Sequence, residues 1–193
     1  MTVHAGQDES ASALLVIDMV STWGFPGGRE LLNAAVKIAP AIARLKARCK
    51  STGVPVVYAN DNHGRWRSDW RHLMDMALAA GGDGARVAQL LAPDEEDYFV
   101  LKPMHSAFFA TPLHLLLQHL KVRHLILAGV ASDQCVLATA SEARMHSLQV
   151  SVPRDGVAAP TVARTRASLR HFEEVLKLST TPGSRVRLQA QPD

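Results

Sequence analysis

Short runs of apolar residues alternate along this chain with longer stretches in which apolar residues recur every three or four positions. Short, continuously apolar runs are typical of parallel strands buried on both faces. The pattern predicts strands at 13–18, 54–60, 98–102, 124–130, 149–153 and 175–180. It predicts helices at 30–51, 84–91, 112–120, 132–147 and 162–172. This alternation favours a doubly wound α/β fold of three layers, with helices on both faces of a mostly parallel sheet of about six strands.

Proline residues refine these boundaries. Thr111-Pro112 and Pro160-Thr161 are typical helix starts, whereas Pro40 lies inside the first long helical pattern and predicts a kink or a restart there. We expect residues 1–193 to form a single domain, with segments 1–12 and 182–193 as loose tails.

Composition limits the function classes. The 193 residues, 47% apolar and 20% charged, suit one globular domain. No apolar run approaches the roughly 20 residues of a membrane helix, and the polar first twelve residues lack a signal-peptide layout. We therefore expect a cytoplasmic protein with no membrane partner.

Charge and cysteine content narrow the picture further. The 21 basic residues are interspersed with 18 acidic ones, which argues against a nucleic-acid partner despite the net charge of +3. Two cysteines cannot make a disulfide scaffold or, by themselves, a structural zinc site. Cys49 is expected to be an ordinary core residue.

Three chemically useful side chains fall at predicted strand ends. Asp18 ends the first strand, Lys102 ends the third, and Cys135 follows the fourth in "LAGVASDQCVLATASEA". Open parallel sheets bind ligands beyond the carboxyl ends of their strands. Singly, each residue has an ordinary role: a core thiol, a turn cap or a solvated strand end. Their shared location favours a reactive site.

The same residues suggest a chemistry. If Ser132 caps the following helix, Cys135 lies in its first turn, where the helix dipole should make the thiol easier to ionise. Asp18 could accept the thiol proton while Lys102 orients Asp18. The backbone N–H groups of Ala131 and Cys135 could then bind an oxyanion.

Four segments resemble the isochorismatase-like cysteine hydrolases, which include nicotinamidases, N-carbamoylsarcosine amidohydrolase and ureidoacrylate amidohydrolases. They are "ALLVIDMVSTW", "VVYANDNHGRW", "FVLKPMHSAFFATPL" and "LILAGVASDQCVLATASEA", in family order. The resemblance implies Asp18, Lys102 and Cys135 as catalytic triad and Val130-Ala131 as a cis peptide in the oxyanion turn. It also implies a homodimer or homotetramer.

The resemblance implies hydrolysis of a C–N bond in a small amide, carbamoyl or ureido compound through a thioester, without a cofactor. Family members that cleave the vinyl ether of isochorismate lack the cysteine, so that activity is a weaker alternative. A noncatalytic binding or scaffolding relative is the other alternative.

The loop after the second strand bears on metal and substrate. Asp61 and His63 match two metal ligands of nicotinamidases, but the next histidine is His72, so we expect no metal. The expected pocket wall comprises Trp66 in this loop and, by the resemblance, Trp23 and Phe108. Whether Arg65 or Arg67 contacts a substrate carboxylate stays open, and His105 has no assigned role.

Overall fold

One parallel sheet organises the part of the chain that the computed structural model describes, residues 11–190. Its strands are β1 (Ala11–Ile17), β2 (Val56–Asp61), β3 (Tyr98–Lys102), β4 (Val122–Val130), β5 (Gln149–Ser151) and β6 (Val157–Ala158). The strand order is β3-β2-β1-β4-β5, and β6 pairs with the carboxyl end of β4.

Six α-helices connect these strands within the described residues. They are α1 (Gly28–Ser51), α2 (Trp70–Ala80), α3 (Gly82–Leu90), α4 (Leu113–His119), α5 (Cys135–Met145) and α6 (Val162–Glu174), followed by a 3₁₀ turn at Gly183–Arg185. Among residues 11–190, none of the helices is long and apolar enough to cross a bilayer.

Alternate side chains of the central strands feed two separate apolar cores. Leu15 and Ile17 of β1 face a core that receives Leu113 of α4, Val136 of α5 and Phe172 of α6. The other face of β1 packs against α1 and α3, with buried Leu14, Val16, Ala35, Ile42 and Val87. Both faces of the sheet are therefore covered, which confirms the predicted three-layer α/β fold.

One predicted strand is wrong, and one helix was missed. The segment predicted as a sixth strand contributes only a bridge between Ser179 and Ser151, because α6 extends to Glu174 and Lys177 adopts a left-handed φ of 54°. The sixth strand is β6, which is too short to give a sequence pattern. Helix α2 was not predicted, although Asp69 caps it by accepting a hydrogen bond from the N–H of His72.

Helix α1 continues through Pro40 without restarting. Ala39 and Ile42, on either side of the proline, are both buried against the sheet. Burial of this continuous apolar face offsets the backbone hydrogen bond that proline cannot donate.

Parts of both segments expected to be loose tails make hydrogen bonds in the structure. Residues 11 and 12 belong to β1, and the Ser12 N–H donates to the carbonyl of Gln189. Arg48 donates to the carbonyls of Gly183 and Val186, so segment 182–190 is attached to α1 and β1. Residues 1–10 and 191–193, to which the same prediction applied, lie outside the described part.

The buried thiol of Cys49 should make the unfolding free energy depend on pH in alkaline solution. It is fully buried in α1, and burial raises the pKa of its thiol from 9.0 to about 12. Since the unfolded thiol ionises first, its contribution to stability is complete below about pH 9 and is lost as pH rises toward 12. We expect Cys49→Ala to flatten the pH dependence of the unfolding free energy above pH 9 by up to about 1.4 kcal/mol per pH unit.

Urea unfolding of both proteins at several values between pH 8 and about pH 10.5 measures this difference. The alanine lowers stability at every pH, so only the slopes are compared. Parallel slopes for the two proteins would contradict the prediction.

Candidate active site

Three side chains from separate strand ends meet at one edge of the sheet. Asp18 directly follows β1, Lys102 is the last residue of β3, and Cys135 opens α5 after β4. The Lys102 Nζ lies 2.8 Å from Asp18 Oδ2 and 3.5 Å from Cys135 Sγ. The structure therefore brings together the three residues that the sequence pattern placed at this edge.

Asp18 is held in place by the neighbouring strand. Its backbone adopts a left-handed φ of 52°, and its N–H donates to the carbonyl of Ala59. Its Oδ1 accepts a 2.8 Å hydrogen bond from the backbone N–H of Asp61. With one oxygen on β2 and the other on the Lys102 ammonium, the carboxylate has little rotational freedom.

Lys102 is a fully buried cation. Its ammonium also contacts the carbonyl of Met104 at 3.3 Å, and Asp61 Oδ2 lies 3.9 Å away. Burial alone would lower the pKa of this ammonium, but the charges of Asp18, Cys135 and Asp61 raise it above its ordinary value. The lysine therefore stays charged at neutral pH.

The expectation that the Cys135 thiol ionises easily is wrong. Burial, followed by the negative charge of Asp18, raises its pKa from 9.0 to about 12, and Lys102 offsets this only in part. Ser132 does not cap α5, because the helix begins at Cys135 and the buried Ser132 hydroxyl bonds to that of Ser168. The resting thiol is therefore protonated at neutral pH.

A cavity of about 190 Å³ opens above the sulfur. Trp23, Phe25 and Leu31 form an apolar wall. The Trp23 and Phe25 rings lie 6.4 Å apart between centroids. The remaining lining residues are mostly polar or belong to the turn before α5: Asp18, Ser21, Asn60, Asp61, His63, His105, Val130, Ala131, Gln134 and Cys135. Trp23 thus occupies the predicted position in the wall.

The turn between β4 and α5 provides the cavity with backbone groups. Val130, Ala131 and Cys135 all line it, and the Val130–Ala131 peptide bond is cis. The N–H groups of Ala131 and Cys135 have no hydrogen-bond partner within residues 11–190. Unpaired donors next to the sulfur are suited to hold the oxygen of a carbonyl under attack.

Sequence reasoning missed several lining residues, among them His105 and Phe25. The His105 Nδ1 lies 3.6 Å from Cys135 Sγ, within range of a hydrogen bond to sulfur. Phe25 completes the apolar wall but follows β1 in an irregular segment. The available signal for His105 was its position three residues after Lys102, where the chain turns back over the strand end.

Two expected wall residues do not reach the cavity, which corrects the predicted wall. Trp66 is 79% exposed, since its loop turns outward. Phe108 is buried in the core beneath α4, with its ring 5.0 Å from that of His146. Neither Arg65 nor Arg67 lines the cavity, and Arg65 instead contacts the sulfur of Met76.

The donor set does not fit a metal site of the nicotinamidase type. His63 Nδ1 lies 3.9 Å from Asp61 Oδ1, but His72 lies on the exposed first turn of α2. Across residues 11–190, no three histidine, cysteine, aspartate or glutamate side chains form a group able to hold a metal ion. Two ligands make a weak site at most.

Sequence comparison identifies the family to which a chain with this fold and site belongs. The sequence profile of the isochorismatase domain family matches residues 12–182, and the chain belongs to this family.

Relatives of known name fit this assignment. The chain is 35% identical to the uncharacterized isochorismatase family protein YaaI of Bacillus subtilis, over 85% of this chain and 90% of YaaI. It is 29% identical to the ureidoacrylate amidohydrolase RutB of an Enterobacter strain, over 66% of each chain. The structure of N-carbamoylsarcosine amidase from Thermoplasma acidophilum shares the fold, with a TM-score of 0.70 and 24% identity over 92% of this chain and 99% of that one.

Proposed function

We propose that this protein is a cysteine-dependent amidohydrolase that cleaves a C–N bond of a small amide, carbamoyl or ureido compound. The observation that carries the proposal is the contact of one buried ammonium with both a carboxylate and a thiol beside a cavity. Acyl transfer to sulfur requires a nucleophile, a proton acceptor and a site for the oxyanion. The site contains groups suited to each role.

In the first half-reaction, Asp18 accepts the thiol proton as Cys135 Sγ attacks the substrate carbonyl carbon. Because the pKa of the thiol is about 12, proton transfer accompanies the attack rather than preceding it. The carbonyl oxygen becomes an oxyanion held by the N–H groups of Ala131 and Cys135. The C–N bond then breaks, and the departing nitrogen takes the proton from Asp18, which leaves a thioester.

In the second half-reaction, a water molecule attacks the thioester carbonyl and Asp18 accepts a proton from that water. The C–S bond breaks, and the sulfur regains the proton from Asp18. The acid is released, and Asp18 and Cys135 return to their starting states. Lys102 keeps its proton throughout and stabilises the Asp18 carboxylate between transfers.

The relatives support this reaction class. Both a ureidoacrylate amidohydrolase and an N-carbamoylsarcosine amidase are named for hydrolysis of a C–N bond next to a carbonyl group. The cavity of about 190 Å³ suits a compound of similarly small size. The thiol at its base favours this chemistry over cleavage of a vinyl ether, which needs an acid and a water molecule but no nucleophile from the protein.

Active-site labelling tests the proposal. Because burial raises the pKa of both thiols to about 12, excess iodoacetamide at alkaline pH should alkylate Cys135, which lines the cavity, before Cys49, which is fully buried. Hydrolysis of a panel of small amides and of carbamoyl and ureido compounds should fall in proportion to the labelled fraction. Peptide mass spectrometry and release of amine or ammonia measure the two quantities.

Three outcomes would contradict the proposal. Hydrolysis that persists after complete labelling of Cys135 would exclude the thiol as nucleophile. A panel that yields no hydrolysis while isochorismate is cleaved would favour the vinyl-ether alternative, and copurification of a stable partner without any turnover would favour a scaffold.

A further inference from the structure

The charge of the cavity lining restricts what can bind there. Among residues 11–190, two carboxylates, Asp18 and Asp61, line the cavity, and no lysine or arginine does. The Asp61 side chain is 37% exposed, whereas that of Asp18 is 18% exposed and already contacts Lys102. Asp61 is therefore the acidic group that a bound molecule meets first.

Lys102 cannot serve as the partner of a substrate anion. A lysine ammonium has three N–H donors. In this site their neighbours are Asp18 Oδ2 at 2.8 Å, the Met104 carbonyl at 3.3 Å and Cys135 Sγ at 3.5 Å. The side chain is also fully buried. No donor remains for a carboxylate in the cavity.

The other basic groups nearby are an arginine outside the cavity and two histidines in its lining. Arg65 is turned toward Met76, outside the cavity. Of the two lining histidines, His63 has its Nδ1 3.9 Å from Asp61 Oδ1, and His105 has its Nδ1 3.6 Å from Cys135 Sγ. The nearest ring nitrogen of each is therefore already directed at a residue of the site.

We propose that the site takes amides whose acyl group is uncharged. Asp61 excludes amides whose acyl group bears a carboxylate. The proposal rests on the amidohydrolase function proposed above and adds the substrate class. A carboxylate in so small a cavity would lie near Asp61 without a counter-ion, which is unfavourable in a partly dehydrated site. The apolar wall of Trp23, Phe25 and Leu31 instead suits an uncharged group.

Two alkylating reagents of nearly equal shape test this exclusion without a known substrate. Iodoacetamide is uncharged and iodoacetate carries a carboxylate, and both react with the Cys135 sulfur. The quantity to measure is the rate constant of iodoacetamide at Cys135 divided by that of iodoacetate. This ratio is then divided by the same ratio for 2-mercaptoethanol, at one pH and low ionic strength. The expected quotient is about ten or more, since one nearby like charge changes such rates by that order.

The variant Asp61→Asn keeps the shape of the side chain and removes its charge. It should lower the quotient by at least about threefold, mainly by speeding the reaction with iodoacetate. Asp75→Asn, at an exposed position of α2 outside the cavity, makes the same charge change and should leave the quotient unaltered. A wild-type quotient near one, or an unchanged quotient in Asp61→Asn, would overturn the proposal.

A matched substrate pair separates this inference from the proposed function. Succinamide should be hydrolysed with a higher kcat/KM than succinamate, and Asp61→Asn should narrow the difference through KM. If neither compound nor the wider panel is hydrolysed while the alkylation quotient stays high, the hydrolase proposal fails and the charge selection stands. Equal kcat/KM for the two compounds would overturn the selection alone.

Discussion

Replacement of Cys135 by alanine is expected to lower kcat/KM for any amide substrate by at least about a thousandfold, to the level of background hydrolysis. The sulfur is the nucleophile in the proposed reaction, and a methyl group cannot form the thioester. Lys102 and Asp18 keep their 2.8 Å contact without it, so the fold and the cavity should persist. Steady-state kinetics, with circular dichroism to verify folding, measures the effect.

The second cysteine provides the matched control. Cys49 has a similarly raised pKa, but it is fully buried in α1, away from the cavity. Cys49→Ala should therefore retain activity within a few-fold of the wild type, although it loses some stability. Full activity in Cys135→Ala, or an equal loss in both variants, would argue against a nucleophilic role for residue 135.

Alanine at Gly129 is expected to destabilise the whole domain by at least about 3 kcal/mol or to prevent folding. Gly129 has a φ of 119°, and a Cβ there would lie 2.0 Å from the carbonyl oxygen of Ile17. That oxygen belongs to the backbone of the paired central strand, so it cannot rotate away. Urea unfolding, or the soluble fraction on expression if folding fails, measures the effect.

Gly156 lies on the adjoining segment and controls for the loss of a glycine as such. A Cβ at Gly156 would meet its nearest atom, the Pro153 carbonyl oxygen, at 3.5 Å, which is an ordinary contact. Gly156→Ala should therefore change the unfolding free energy by less than about 1 kcal/mol. Similar losses of unfolding free energy in both variants would show that the close approach of β4 to β1 at Gly129 does not cause the effect.

The position of the site could be predicted from the sequence because it depends on topology. Asp18 and Lys102 end apolar strands, and parallel strands bring their carboxyl ends to the same edge of the sheet. Cys135 follows a third strand in a segment with a strong family pattern. Their convergence needed only the order of strands and helices, which the hydrophobic pattern indicates well.

The ionisation of Cys135 could not be predicted in this way. Helix position alone favoured a low pKa, but the thiol is buried and lies near Asp18, and these tertiary effects dominate. Similarly, Ser132 has the right spacing for a cap, yet its hydroxyl contacts Ser168 from α6. Such partners lie far apart in the sequence and leave no local signal.

The residues of the cavity wall could also be predicted only in part from the sequence. Trp66 and Phe108 have suitable chemistry, but the direction of a loop decides which side chain enters a cavity. His105 and Phe25 reach it from irregular segments that no periodicity describes. The two residues of β6 likewise depend on pairing with β4 rather than on a pattern of their own.

The separation of the reactive groups along the chain has a consequence for folding studies. Asp18 and Lys102 lie on opposite sides of β2 in the sheet, and Cys135 comes after β4, on the other side of β1. Their 2.8 Å and 3.5 Å contacts form only when all four neighbouring strands have assembled in register. Regain of enzymatic turnover after dilution from denaturant would thus report completion of the central sheet, a late event that far-ultraviolet signals from the helices would precede.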